Sequence, residues 1–128
     1  MPSTRLETRA GWIGERHAAI AEAIQQALVE AIKIPVEDRD IRITEHPAQA
    51  FFPPPGRAAN YSIIEVTLFT GRSLEAKRRL FAALSAAMAQ FGVGDNDLKV
   101  ILIEVPRENW GLRGKSGVDI ELGFKIEV

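Results

Sequence analysis

Two stretches of the chain repeat apolar residues at the spacing of an α-helix. Residues 14–33 carry isoleucine, leucine and alanine on one stripe, and residues 74–91 carry leucine, alanine, methionine and phenylalanine in the same way. A period of about 3.6 residues is typical of a helix that buries one face. We therefore predict two amphipathic helices, the second with Ser73 as its N-cap and Gly92 just beyond its end.

β-Branched, apolar segments flank both predicted helices. Residues 3–9 and 62–69 precede them, and residues 41–47 and 100–106 follow them. Each segment has the composition of a strand. Strands joined by a crossover helix pair in parallel, with a right-handed connection. The pattern predicts two β-α-β units.

The two units are an internal repeat. At an offset of 59 residues the matched pairs are Asp38 with Asp97, Glu45 with Glu104 and Pro47 with Pro106. We place the units at residues 2–58 and 59–117, joined near the proline-rich segment 51–60, which is stiff and irregular. The prediction is one α/β (α+β) domain over residues 1–128. It has a four-stranded, mostly parallel sheet with both helices on one face.

The other face of this sheet is expected to be exposed and apolar. A small chain with a half-covered sheet commonly buries that face by oligomerising. The tail, residues 118–128, alternates around Gly123 and predicts a strand or small hairpin. It would either pair across a subunit boundary or close its own sheet.

The composition narrows the class of protein. The chain has 128 residues, 46% hydrophobic and 26% charged, with a net charge of −1 and no cysteine. These values are typical of a soluble globular domain, and they offer no basic field for nucleic acid and no thiolate metal site. No apolar run is long enough to cross a bilayer, and no signal-peptide pattern opens the chain, so we expect no membrane partner. We expect a cytoplasmic protein, since the absence of cysteine fits a reducing compartment.

The two histidines, His17 and His46, do not have the spacing of metal ligands. We expect ordinary surface or core histidines and no metal.

Pro2 is the candidate for unusual chemistry. It follows Met1 and precedes the small residues Ser3 and Thr4. Removal of Met1 would leave the Pro2 nitrogen as a cyclic secondary amine. An α-amine titrates near ~7.7–8.0, and burial lowers that value, so the group can act as acid, base or nucleophile at neutral pH. The alternative is that Pro2 merely follows the initiator methionine.

The chain resembles the tautomerase superfamily, in which a proline opens the first strand of such a unit. Residues 69–77, FTGRSLEAK, resemble the strand-to-helix junction of those enzymes, and residues 109–114, NWGLRG, resemble the turn after their second strand. The small members resemble 4-oxalocrotonate tautomerase. This chain is most similar to the fused, two-unit members, in particular the malonate semialdehyde decarboxylase branch. The resemblance implies a homotrimer without a cofactor.

The resemblance implies that Pro2 is the catalytic amine. It also implies that Arg72 holds the substrate carboxylate, and that Asp38 hydrogen-bonds water or substrate near the proline. From the residues alone, Arg72 could be a surface arginine, although a cation is unfavourable at a helix N-terminus. Asp38 could equally be a turn-forming residue.

Four further residues complete the predicted site. Trp110 would supply an apolar wall that excludes water. Arg113, Arg39 and Tyr61 are weaker candidates for the rim of the substrate site. The decarboxylase branch often has another arginine two or three residues from the position of Arg72. Here Thr70 lies two residues before Arg72 and Arg78 lies on the helix, so Arg113 or Arg57 would have to take that role in a decarboxylase.

Three functions follow as hypotheses. The first is enol–keto tautomerisation of small oxo-carboxylic acids by Pro2. The second is decarboxylation or hydration of a three-carbon oxo-acid at the same site, with Asp38 handling water. The third is a trimeric binding module whose amine is not catalytic.

Overall fold

The computed structural model describes residues 2–123, Lys125 and Ile126. The main elements are β1 (Ser3–Arg9), α1 (His17–Ile32), β2 (Ile41–His46), β3 (Ser62–Phe69), α2 (Leu74–Ala89), β4 (Leu98–Val105) and the short hairpin strands β5 (Gly111–Leu112) and β6 (Lys115–Ser116). Both β-α-β units form, so the predicted order of elements is confirmed. No helix in these residues is long and apolar enough to span a membrane.

The sheet has the strand order β2-β1-β3-β4. Each outer strand is parallel to its neighbour, and the central β1–β3 pair is antiparallel. This arrangement confirms the four-stranded, mostly parallel sheet. One end of the sheet holds the starts of β1 and β2 and the finishes of β3 and β4. We call it the proline end, since Pro2 directly precedes β1, and we call the opposite end the distal end.

Both helices pack on one face of the sheet, as predicted. Their apolar stripes meet Leu6, Ile64 and Val66, each fully buried. The hydroxyl oxygen of Ser73 accepts a hydrogen bond from the Ala76 amide at 3.1 Å, which confirms the predicted N-cap of α2. Such caps typically stabilise a helix by about 1 kcal/mol. Helix α1 ends at Ile32, where Lys33 takes a left-handed conformation.

The second face of the sheet is apolar over only half its width. Along β4, Ile101 and Ile103 are 40% and 39% exposed. Along β1 and its neighbours, Arg5 pairs with Glu65, and the face is charged. The expectation of a wholly apolar face was therefore wrong, because the strand residues that point away from the helices in β1 are polar.

The predicted strand over residues 118–128 does not form in the described part of the tail. Val118 and Asp119 belong to a 3₁₀ turn, and Ile120 is extended but has no strand partner in this single chain. Residues 124, 127 and 128 of the predicted segment lie outside the described residues. Pairing of the tail with a second copy stays a prediction.

Candidate active site at the proline end

The sheet positions Pro2 between two connecting segments. The Thr4 amide donates to the Asp40 carbonyl at 2.9 Å, which holds the start of β1 against the start of β2. On the other side, Ser3 pairs with Thr67 near the end of β3. Pro2 is buried. The fold therefore places its nitrogen between the 38–40 loop and the turn that leads from β3 into α2.

The loop that carries Asp38 is held by a buried amide from α1. Gln25 is 5% exposed, and its Nε2 donates to the carbonyls of Val36 and Asp38 at 3.3 and 3.2 Å. The Asp38 amide also donates to the Pro35 carbonyl at 3.0 Å. Asp38 thus has the turn role considered from sequence, and its half-buried side chain lies at the proline end as well.

Arg72 is the most unusual charge in the described residues. Its side chain is buried, yet only Nη1 has a hydrogen-bond partner, the Phe69 carbonyl at 3.3 Å. Within the described part of the chain, Nε and Nη2 have no partner. Burial lowers the pKa of the guanidinium from its usual value, against an opposing effect of the Glu104 carboxylate. Buried polar groups are normally paired, so two free donors on one buried cation form a ready site for an anion.

Glu104 does not neutralise Arg72 by direct contact. Its Oε1 accepts a hydrogen bond from Lys77 Nζ at 2.8 Å. That bond is the largest cause of a lowered pKa for the Glu104 carboxyl, with smaller contributions from Lys77 charge, the Gly71 amide and Arg72. The Glu104 carboxylate is already engaged, which leaves the Arg72 donors available.

Trp110 packs behind this arginine through Phe69. The Phe69 and Trp110 rings meet edge to face, with centroids 5.0 Å apart. The indole Nε1 donates to the Val105 carbonyl at 3.1 Å. Phe69 therefore contacts Trp110 with its ring and Arg72 with its carbonyl, so the aromatic wall and the cation are placed by the same residue.

A cavity of about 210 Å³ brings Asp38 and Arg113 together. Arg113 lies in the tight turn between β5 and β6, with φ of 53°. A non-glycine residue is uncommon there, although hairpin turns of this length need positive φ. The remaining walls of the cavity come from Pro35, Glu37, Ile120, Glu121 and Leu122.

Two predicted rim residues lie elsewhere. Arg39 lines a separate cavity of about 360 Å³ beside α1. Tyr61 is buried at the distal end, where its carbonyl accepts a hydrogen bond from Thr8 Oγ1 at 2.8 Å. Within one chain the structure brings neither side chain to the cavity that holds Asp38.

Sequence reasoning missed Gln25 and Phe69 as parts of the site. A signal existed for Gln25, since it is a polar residue within the apolar stripe of α1. The partners of a buried amide must come from another segment, and here they lie in the loop that holds Asp38. For Phe69 the sequence offers only its place at the end of a strand.

Both histidines pair with glutamates rather than with each other. His17 Nε2 lies 2.7 Å from Glu45 Oε2, and His46 Nε2 lies 3.0 Å from Glu7 Oε1. In the residues that the structure describes, no group of three or more histidine, cysteine, aspartate or glutamate side chains is placed to hold a metal ion.

The chain thus combines two β-α-β units with a buried proline ahead of β1 and, ahead of α2, a buried arginine with two donors unpaired in the described residues. A family model described as "Tautomerase enzyme" matches residues 38–113, more than half of the chain. The chain belongs to this tautomerase family. A probable tautomerase of Ralstonia nicotianae is 43% identical over 53 residues, which cover 41% of this chain and 76% of that relative.

Solved structures with the same fold cover nearly the whole chain. FG41 malonate semialdehyde decarboxylase, inhibited by 3-bromopropiolate, is similar with a TM-score of 0.84 and 30% identity, covering 96% of this chain and 99% of that one. A native fused 4-OT has a TM-score of 0.83 and 25% identity, with coverage of 92% and 98%. The F6 fused 4-OT, described as an asymmetric trimer, has a TM-score of 0.80 and 25% identity, with coverage of 91% and 97%.

Proposed function

We propose that this protein is a cofactor-free enzyme that uses the amine of Pro2, after removal of Met1, on small oxo-carboxylic acids. The reaction is enol–keto tautomerisation. The observation that carries the proposal is Arg72, a buried guanidinium with two donors unpaired within the described residues. A carboxylate is the ligand that such a planar fork binds in two parallel hydrogen bonds.

Pro2 moves the proton in this proposal. The neutral amine takes the hydroxyl proton of the enol, and the oxygen electron pair forms the carbonyl. The electron pair of the carbon–carbon double bond then takes a proton at the adjacent carbon from the protonated amine. No net proton is gained or lost, so the amine is regenerated at each turnover. The buried position of Pro2 supports this role, because burial favours the neutral amine.

The other residues bind and orient the substrate. Arg72 grips the carboxylate, while Asp38 directs the proton or a water molecule. Trp110 keeps bulk water from the reacting atoms. Arg113 lines the same cavity as Asp38, where it would contact a second polar group of the substrate. Arg39 and Tyr61 would take part only in a site to which a second copy contributes.

Decarboxylation or hydration is the second candidate. The similarity to FG41 malonate semialdehyde decarboxylase over nearly the full chain favours it. In that reaction the protonated Pro2 amine polarises the aldehyde oxygen of a 3-oxo acid. The bond to the carboxylate carbon breaks, and its electron pair forms the carbon–carbon double bond of an enol as the carbonyl oxygen takes the proton of the amine. Carbon dioxide leaves. The neutral amine then takes back the hydroxyl proton, and the enol carbon takes a proton from water to give the aldehyde. Asp38 would hold water for the hydratase reaction.

We propose a homotrimer in the cytoplasm as the working state. The similar F6 fused 4-OT is described as a trimer, and the exposed Ile101 and Ile103 offer an apolar surface for contact between copies. A trimeric binding module without catalysis is the alternative of another class. It would retain anion binding at Arg72 but show no turnover.

The first test is intact mass, which tells whether Met1 has been removed. Wild type, Pro2→Ala and Arg72→Ala are then assayed for ketonisation of phenylenolpyruvate and for carbon dioxide release from malonate semialdehyde. Pro2→Ala keeps a terminal amine but loses the ring, and it should lower kcat. Arg72→Ala should raise KM, and also lower kcat if its grip tightens in the transition state. Arg78→Ala, on the exposed face of α2, is the matched control.

The outcomes separate the candidates. Ketonisation without carbon dioxide release supports the tautomerase, and the reverse supports the decarboxylase. If both variants turned over both substrates like wild type, the enzymatic proposals would fail together. A wild type that binds carboxylates without turning them over would support the binding module.

A further inference from the structure

Arg107 contacts three parts of the proline end at once. Its Nε and Nη2 donate to the Gly117 carbonyl at 3.2 and 2.9 Å, and Nη2 also donates to the Ile120 carbonyl at 3.2 Å. Its guanidinium lies 6.0 Å from the centre of the Phe69 ring. Phe69 in turn contacts Trp110 and Arg72. Arg107 is therefore joined to the proposed substrate site without lining it.

The carbonyls that accept from Arg107 belong to a segment that lines the cavity of Asp38. We call residues 117–122 the strap. Its members Ile120, Glu121 and Leu122 line the cavity that also holds Asp38 and Arg113. Within the described residues no strand pairs with the strap, so the bonds from Arg107 are among the contacts that hold it in place.

Gly117 shows how close the contact is. A Cβ at this position would lie 2.5 Å from the backbone oxygen of Arg107 and 3.4 Å from Cβ of Trp110. The Gly117 amide also donates to the Trp110 carbonyl at 2.8 Å. A side chain at Gly117 would push the strap away from the segment that carries Arg107.

We propose that Arg107 is a positioning residue that clamps the strap as a wall of the substrate cavity, an inference that rests on the proposed function of that site. A guanidinium suits this task, because its fork reaches two carbonyls at once while it stacks on an aromatic ring. A lysine has a single ammonium and does not reproduce that geometry. Arg107 touches none of the reacting atoms and acts through the strap.

The test uses the full chain and two variants that break the clamp from opposite sides, Arg107→Ala and Gly117→Ala. Hydrogen exchange measured by mass spectrometry follows residues 117–122 directly. We expect exchange there to become about tenfold faster or more, since a local contact is lost while the core is unchanged. With phenylenolpyruvate, KM should rise about tenfold with kcat within about threefold of wild type, because binding is lost rather than chemistry. Arg107→Lys should lie between wild type and Arg107→Ala.

Arg79 offers a matched control. Its Nε and Nη2 donate to one carbonyl, that of Ala31, at 3.3 and 3.2 Å, in the contact between α2 and α1. Arg79→Ala removes a similar pair of bonds outside the site. It should leave both the exchange of residues 117–122 and KM unchanged.

Each result has a distinct meaning. Unchanged exchange of the strap in both Arg107→Ala and Gly117→Ala would overturn the clamp. Faster exchange with an unchanged KM would overturn its part in substrate binding. If the wild type ketonised nothing, the proposed function would fail by itself, and hydrogen exchange would still decide whether Arg107 holds the strap.

Discussion

Replacing Arg72 with methionine should make the protein more stable and nearly inactive. The side chain is 6% exposed, and its one hydrogen bond is 3.3 Å long. Two of its donors are unpaired within the described residues, and a buried unpaired donor costs about 1–3 kcal/mol. Methionine has a similar length and no donor, so the variant loses about 1 kcal/mol from the Phe69 bond and escapes the larger penalty. We expect the free energy of unfolding to rise by about 1–5 kcal/mol.

The Glu104 carboxylate offsets little of that penalty. It lies at an exposed position and already bonds Lys77, so its attraction for Arg72 is screened by water. The pKa of Arg72 is lowered because burial, which disfavours the charged form, outweighs the attraction of Glu104. A cation whose pKa falls on folding destabilises the folded state at every pH at which it stays protonated.

Urea unfolding measures the predicted gain, with all variants at one protein concentration because assembly adds to apparent stability. The melting temperature should rise by roughly 2–8 °C for each kcal/mol in a domain of this size. At the same time kcat/KM for phenylenolpyruvate should fall by about 10²–10³, the usual loss with a bidentate, charge-assisted contact. Added carboxylate ligand should raise the melting temperature of wild type but not that of Arg72→Met. Arg78→Met, at an exposed position of α2, should change neither quantity.

Both expectations would be wrong if Arg72→Met unfolded more easily than wild type and retained its kcat/KM. That pair of results would make Arg72 a structural residue whose fold contacts outweigh its buried charge. A variant that is both less stable and inactive would refute the energetic argument alone.

Three further substitutions test residues that hold the segments around the proposed site. Gln25→Ala removes the amide that holds the Asp38 loop. It should destabilise the fold by about 1–3 kcal/mol in urea unfolding and lower kcat/KM several-fold. Full activity would show that the loop keeps its conformation without Gln25. Ser73→Ala removes the N-cap of α2 and should cost about 1 kcal/mol in the same measurement, whereas no change would mean that water replaces the cap. The folded-state pKa of Glu104 is lowered, chiefly by its bond to Lys77, so its contribution is present above the ordinary value of 4.5 and is lost as pH falls through the lower folded value. The free energy of unfolding of Glu104→Gln, measured with urea, should therefore fall less steeply with acid than that of wild type. The difference should be under about 1 kcal/mol because the pair is exposed. Identical pH dependence in the two proteins would contradict this.

The elements that local chemistry determines were predictable from the sequence. The period of apolar residues located both helices, and Ser73 marked the start of α2 because a cap bonds within its own turn. The repeat predicted the parallel pairs, since each crossover helix joins two strands of one unit. In the confirmed fold, the loop that carries Asp38 leads into β2 and the turn that carries Arg72 follows β3, so the two segments lie on either side of the start of β1.

Features that depend on distant partners were not predictable. Alternation along residues 118–128 predicted a strand or small hairpin. In the described part of that tail, the Ile120 carbonyl and the neighbouring Gly117 carbonyl accept from Arg107, and no strand pairs with this segment. The sequence also does not predict which cavity an arginine side chain lines. Arg113 points into the cavity of Asp38, whereas Arg39, adjacent to Asp38 in sequence, lines a different one.

The two ends of the duplicated sheet differ in one physical respect that favours chemistry at only one of them. At the distal end the polar groups bond each other: Thr8 Oγ1 donates to the Tyr61 carbonyl at 2.8 Å and accepts from Trp12 Nε1 at 2.9 Å. At an offset of 60 residues, Trp12 aligns with Arg72. The arginine at the distal end is Arg9, whose Nη2 donates to the Phe51 carbonyl at 3.0 Å and which, within the described residues, leaves only Nε buried without a partner. The two ends of the sheet have similar strand arrangements, and at the distal end hydrogen bonds within the chain occupy Thr8, Trp12 and Arg9 Nη2. The proline end instead holds a buried cation, Arg72, that destabilises the fold. A carboxylate substrate would supply the hydrogen-bond partners that its two unpaired donors lack. Stability and activity should therefore change in opposite directions when Arg72 is replaced.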